Sequence, residues 1–414
     1  MKKIKWKKNF KPDHVLQKID NAKNISEDGR LSFGSFEYHD AFAAIFSMID
    51  FPPVVKEELN VDSVVSKALG KAALEGTITK ETMLNKLQEV IKSELATREV
   101  RYVLLSSLSI DGDLPIKRAT IGKTSIRLET DYPIKYSSRE EDIRAVNLKL
   151  ESSHQGYTKV IATTKAKSSH AAANKALRDI DTLRAVMCLF TNTSMELFGV
   201  STKPINNIRL GQAHTLHFSS GASATKGTVW YDESFIQAQP PFRPPVNKFL
   251  STNIRWVLKG LSNCHYGETL KDSLVRFAAA LDEANQTTAI TKLWGAVECL
   301  AAPSEANYDA VVKRCSFLFE EYQYHRQVLE HLREYRNQSI HAGSDSNRAK
   351  TYCFQLQFYY RELILFHLHN YHDFDSLDQA NAFLDLPTDT ATLLAKQTLI
   401  KKAVRFRHIE DENA

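Results

Sequence analysis

Between residues 35 and 97 apolar positions recur every three to four residues, which is the interval of a helix with one buried face. The stretch "FEYHDAFAAIFSMI" carries this pattern until Pro52 and Pro53 stop it. "TITKETMLNKLQEVIKSEL" resumes it, with Thr79 as the predicted N-cap. From about Val100 the interval shortens. "VRYVLLSSLSI" and "TKVIATTKA" read as strands, and "IKRATIGKTSIRLE" alternates after the turn sequence "DGDLP". "AAANKALRDIDTLRAVMCLFTN" is a long helix, and "SMELFGVST", "HTLHFSS" and "TKGTVWYD" return to strand character. The middle third therefore predicts one long helix lying against a sheet.

"AQPPFRPPVN", residues 238–247, holds four prolines and continues neither a helix nor a central strand. It is the predicted linker. Helical spacing then covers about 248–260, 267–284, 286–302, 306–322, 324–340 and 347–372, with one or two short helices beyond Ser376. Short connections between such helices imply an antiparallel bundle. The stripes Leu293/Val297/Leu300 and Phe354/Phe358/Leu365 are its expected core. The fold class is α+β. A mainly helical region spans 1–97, an α/β region spans 98–237 and a helical domain spans 248–414.

Composition adds limits. The 414 residues are 43% hydrophobic and 25% charged, as in an ordinary globular protein of two or three domains. The net charge of +5 gathers at the two ends and permits contact with nucleic acid without demanding it. Five cysteines form no C-x-x-C pair, and most sit inside apolar helical patterns, as buried thiols of a reducing compartment do. No apolar stretch reaches the length of a membrane span, and the basic start "MKKIKWKKNFK" lacks the apolar core of a secretory signal. A cytoplasmic protein without membrane contact is the expectation. Neither G-x-G-x-x-G nor a P-loop is present.

For chemistry, the segment "LREYRNQSIHAG" sets Arg336 five positions before His341. Spacing alone carries little, because Arg209/His214 and Arg326/His331 repeat it and Arg361/His367 nearly does. Three further features separate the first pair: Asn337 follows the arginine, Gly343 stands ready to end the helix, and a long helix resumes near Asn347. On an ideal helix five positions turn the side chains by roughly 140°. Arg336 and His341 therefore act together only if the helix unwinds near Gly343 or a second chain supplies the partner.

"TKLWGAVECLAA", "VVKRCSFLF" and "LREYRNQSIHAGS" together resemble the Apea-like branch of the HEPN superfamily. There a W-x-A-x-E-x-L helix precedes one carrying Y-R-N-x-x-x-H-x-G. The matching positions are Trp294, Ala296, Glu298 and Leu300, then Tyr335, Arg336, Asn337, His341 and Gly343. The resemblance covers roughly residues 265–372, and the first 245 residues carry no such likeness. It implies a HEPN-like helical bundle and a metal-independent endoribonuclease that needs no cofactor. It further implies a homodimer with two Arg/His motifs across one cleft, and a role in phage defence or as a toxin. Where some HEPN toxins carry a tyrosine two places after the histidine, this chain has Gly343, so modification of that tyrosine is not expected.

The residues suit the chemistry, since RNA brings its own nucleophile, the 2′-hydroxyl. His341 is assigned to proton transfer and Arg336 to stabilising the crowded phosphorane. Asn337 orients the histidine or bonds the phosphate. Glu298 either holds Arg336 in its rotamer or is a surface carboxylate. The expected products are a 2′,3′-cyclic phosphate and a 5′-hydroxyl. The rival expectation is a non-catalytic HEPN-type module for RNA binding or dimerisation. A third is a metal site at His367, His369 and His372, ranked last because no carboxylate or cysteine cluster completes it. The N-terminal half is assigned to sensing a phage-derived or protein trigger, or to selecting RNA. The basic stretches Lys2–Lys11 and 401–408 are candidate phosphate contacts.

Overall fold

The structure is a computed structural model that describes residues 3–146, 148–152, 154–192, 203–245, 248–303, 308–342 and 348–407; at 308, 341 and 342 it describes the helical backbone only. The N-terminal region runs β1 (Lys5–Trp6), α1 (Asp13–Asn21), β2 (Lys23–Ile25), β3 (Leu31–Phe33), α2 (Phe36–Met48), β4 (Ile49–Asp50), α3 (Pro53–Glu58), α4 (Val61–Glu75) and α5 (Lys80–Ala96). Thr79 caps α5 as expected: its side chain accepts from the Thr82 amide while the Thr82 hydroxyl accepts from the Thr79 amide. Leu16, Ile45, Val65, Leu69, Met83 and Leu87 close a core belonging to this region alone.

The middle region contains β5 (Val100–Leu108), β6 (Arg118–Ile121), β7 (Thr124–Glu129), α6 (Ser138–Ala145), β8 (Thr158–Ala166), α7 (Ser169–Thr191), β9 (Ala213–Phe218) and β10 (Trp230–Tyr231). Its six strands form one sheet in the order β10-β9-β5-β8-β7-β6, antiparallel at every pairing. β8 covers "TKVIATTKA" residue for residue, and Leu104 opposite Ala162 sets its register on β5. The strand expected at "SMELFGVST" lies outside the described residues. α7, capped by Ser168, covers one face of the sheet through Ala172, Ala176, Ile180 and Leu183. α6 and the turn Ile134–Tyr136 cover the other face, where Val103, Leu105, Tyr136 and Ile161 meet.

The C-terminal region is helical: α8 (Lys248–Asn263), α9 (Gly267–Leu281), α10 (Gln286–Ala301), α11 (Tyr308–Ser316), α12 (Tyr322–Ala342), α13 (Ala349–His369), α14 (Leu377–Leu384) and α15 (Thr390–Phe406). The molecule is thus α+β with a helical C-terminal part. α10 lies at the centre of that part, and Leu293, Trp294, Val297 and Leu300 are fully buried. Two expectations shift. The helix expected over 306–322 stops at Ser316, because Phe317 and Phe319 turn inward to pack on the core. The buried face of α13 is Cys353, Leu356, Tyr360, Leu363 and Ile364, so it sits rotated from the expected stripe and leaves Phe358 38% exposed.

The proline segment divides the sequence without dividing the core. Phe242 exchanges backbone bonds with Ser109 and Asp111, both 2.9 Å, and the Ala238 amide donates to the Tyr157 hydroxyl at 2.8 Å. α7 meanwhile packs on α8 and α9, joining the sheet and the helices in one hydrophobic core.

Candidate active site on the α10 and α12 helices

Asn285 caps α10 by accepting from the Thr288 amide, and the helix then buries its apolar side on α9 and α13. Glu298 stands one turn beyond Trp294, and the buried indole N–H donates to Glu298 Oε1 at 2.9 Å. That bond aims the carboxylate at α12, where Arg336 Nη2 lies 3.8 Å from the same oxygen. Arg336 Nη1 also donates to the side-chain oxygen of Asn337 at 3.1 Å. The guanidinium is 14% exposed and the carboxylate 28%. A planar cation is therefore held at a partly open edge of the helices with its orientation set from two sides.

Tyr335 serves packing. Its ring meets Tyr352 of α13 edge-on at 4.8 Å, and its hydroxyl lies 3.0 Å from the Thr287 hydroxyl of α10. These contacts fix the azimuth of α12 and hence where Arg336 emerges. The structure brings Glu298, Arg336 and Asn337 together. His341 is on the same unbroken helix, which runs to Ala342, so its backbone position stands roughly 140° around the axis from Arg336. The His341 side chain and Gly343 lie outside the described residues. The backbone is helical through Ala342, and the expected break near Gly343 lies outside the described residues.

The other arginine–histidine pairs go elsewhere. His214 is a buried residue of β9 bonded to Ser106 at 2.9 Å. Arg326 and His331 are exposed on α12. His367 is fully buried, its Nδ1 3.2 Å from the Tyr266 hydroxyl. His369 is exposed, its Nδ1 donating to the Leu365 carbonyl at 2.8 Å. The third candidate is thereby split between core and surface, and no group of three metal-binding side chains occurs among the described residues. All five cysteines are free thiols, and burial pushes Cys188, Cys315 and Cys353 up to about 12.

Burial holds His214 and His367 at about 3, so both are neutral in the folded protein at pH 7. The unfolded chain takes up a proton at each below about 6.5, and stability is therefore lost as pH falls from that value toward 3. At pH 5 each contributes a loss of about 2 kcal/mol. Asp179, pushed up to about 6 by burial, opposes part of it below that pH. Denaturant unfolding at pH 7 and pH 5 checks this: His367→Gln should lower the slope of stability against pH by about one proton. An unchanged slope contradicts it.

Sequence reasoning missed Arg139, which is 2% exposed beneath the sheet. It donates to the carbonyls of Leu105, Ser152 and Ala213 and to the Thr215 hydroxyl, with its guanidinium 4.9 Å from the Tyr132 ring centre. Its signal was only a charged residue in the short helix "SREEDIRA", and acceptors from three distant segments leave no local pattern. The arrangement ties α6 to the sheet. No helix among the described residues is long and apolar enough to cross a membrane. Comparison with protein-family models, with curated proteins and with solved structures finds no match to this chain.

Proposed function

We propose that residues 248–414 form a HEPN-like domain acting as a metal-independent endoribonuclease, working as a homodimer in cytoplasmic antiviral defence or as a toxin. The N-terminal regions then sense a phage-derived or protein trigger, or select the RNA. One observation carries the reading: Trp294 fixes Glu298, Glu298 and Asn337 fix Arg336, and the same helix carries His341. Glu298, Arg336, Asn337 and His341, with Tyr335 as their packing anchor, are the residues this reading assigns to RNA cleavage.

In this reading the 2′-hydroxyl of one nucleotide attacks its own 3′-phosphate. His341 accepts the hydroxyl proton, and a histidine returns one to the departing 5′-oxygen. Arg336 donates to the phosphorane oxygens where negative charge builds. Glu298 keeps the guanidinium oriented and Asn337 is its lateral support. Because the helix parts Arg336 from His341, the complete site draws on two protomers facing each other.

A second reading has its own support. Arg336 is largely buried and already engaged by Glu298 and Asn337, as an arginine that stiffens a non-catalytic RNA-binding or dimerisation module would be. Product chemistry separates the two. Incubated with structured and unstructured RNA in excess EDTA, a HEPN-type enzyme should cleave at its full rate and leave 2′,3′-cyclic phosphate and 5′-hydroxyl ends. RNA retained intact on the protein favours the module, and cleavage that EDTA stops contradicts the proposed mechanism.

A further inference from the structure

α12 and α13 run antiparallel, with Tyr335 against Tyr352 near one end and His325 against Tyr359 farther along. Beside His325, roughly 16 Å along α12 from Arg336 (eleven residues at 1.5 Å each), a cavity of about 330 Å³ opens between α7, α9, α12 and α13. Aromatic rings make up about half of its lining, beside Cys188, Leu189 and Val328. His325 stacks on Phe319 at 3.9 Å and is fixed by the Tyr359 hydroxyl, 2.9 Å from its Nδ1. Phe354 and the outward-turned Phe358 also line it, and Arg361 lies over the Phe358 ring at 5.9 Å. Gln355 supplies an amide whose oxygen is buried without a hydrogen-bond partner among the described residues. A donor on a ligand satisfies such an acceptor once the amide turns toward it.

A second chamber of about 690 Å³ adjoins the first, sharing Asn192 and Phe354. Lys203, Arg209, Arg243 and Lys350 line it, and Arg243 engages Asp111 at 2.7 Å. Arg209 donates from Nη1 to the Ile236 carbonyl, while its Nε is buried without a partner among the described residues. The shared wall is fixed, because Asn192 is bonded to both Gln357 and Asn206.

Ring walls beside a cationic chamber match one ligand class, a flat heterocycle carrying phosphate. Bases stack on aromatic side chains. A glutamine amide pairs its donor and acceptor with the N6/N7 edge of adenine. Arginine and lysine take phosphate oxygens. We propose that the two chambers form a purine-nucleotide site, with the base among the rings and on Gln355 and the phosphates on Arg209 and Lys350. A free nucleotide and a nucleotide within an RNA strand share this chemistry.

The site stands apart from Arg336 and is read by binding, so its test is independent of the ribonuclease reading. Full-length His341→Ala protein, which leaves RNA intact under that reading, is titrated calorimetrically with ATP and with tetra-adenylate RNA. Binding of ATP assigns a free nucleotide, and RNA binding that the Gln355 and Phe358 variants weaken, without ATP binding, assigns a strand; either supports the site. Gln355→Leu, Phe358→Ala and Arg209→Gln should each weaken binding at least ~10-fold, about 1.4 kcal/mol. Phe358 is already at the surface, so its variant folds even if the others do not. A Kd above about 1 mM for both probes, or affinity that the Phe358 and Gln355 variants leave untouched, overturns the proposal.

Discussion

His341→Ala protein is expected to fold and assemble as the unsubstituted chain does, and to cleave RNA on the order of 10²–10⁴ times more slowly, the usual contribution of a positioned acid or base. Alanine is the strongest helix former, and position 341 is one residue from the end of α12, so the helix has no reason to suffer. The measurement is the single-turnover rate on one RNA, beside the melting temperature and light-scattering mass of the same preparation. Arg336→Ala should lose a comparable factor through the lost phosphorane contact. It also strips Glu298 of its cation, which makes it the less clean of the two. Glu298→Gln distinguishes a positioning role: the Trp294 bond has an acceptor still, the charge is gone, and the rate should fall by about tenfold rather than a thousandfold. Cleavage at the original rate by well-folded His341→Ala protein would remove the nuclease reading and leave the binding module.

Elements with a strong local signal were legible in the chain. The alternating run of β7, the Thr79 cap and the long α7 each depend on neighbours within a few residues, and each stands where its sequence predicts. Pairings of two or three residues, such as β1 with β4, are too short to impose a period on the sequence. The proline segment misled in a different way. Its prolines speak for a linker, but Phe242 in their midst docks that segment beside Ser109 and Asp111. Phe317 and Phe319 fit a helical spacing yet pack inward from a turn. Local spacing identifies which residues seek burial and leaves the backbone path to tertiary packing. At the candidate site, the Trp294–Glu298 bond is an i, i+4 contact readable on one helix. The meeting of Glu298 with Arg336 spans 38 positions, and only the resemblance linked them. The clusters around Arg139 and Arg184 join still more distant segments with no motif to announce them.

Arg184→Met is expected to cost on the order of 3 kcal/mol, the low end for breaking a buried ion pair, because the carboxylates it pairs retain some exposure. The guanidinium is 2% exposed and sits between Asp282, reached from Nη1 at 2.9 and 2.7 Å, and Asp181, reached from Nη2 at 2.7 Å. Burial works against this cation, but Asp282 and Asp181 outweigh it and raise its pKa, so the charge is held. Asp282 also accepts from Asn206, which bonds Asn192, which bonds Gln357 of α13. The network therefore ties α7, which covers the sheet face opposite α6, to α9 and α13 among the helices. Methionine keeps most of the side-chain volume and leaves two carboxylates facing each other. Burial already pushes Asp181 up against the pull of Arg184, and without that pull its folded pKa rises further. An acid whose folded pKa exceeds the unfolded one gains stability as pH falls, so the deficit of the variant should shrink between pH 8 and pH 5. Denaturant unfolding at both pH values checks the sign. Adding Asp181→Asn and Asp282→Asn should recover most of the loss, since removing the whole set of charges leaves none stranded. In each variant the sheet and the helices 248–384 should unfold in one transition, because α7 is core to both. Two separated transitions in the unsubstituted chain, or a deficit that grows toward pH 5, would show that Arg184 does not hold the two parts together.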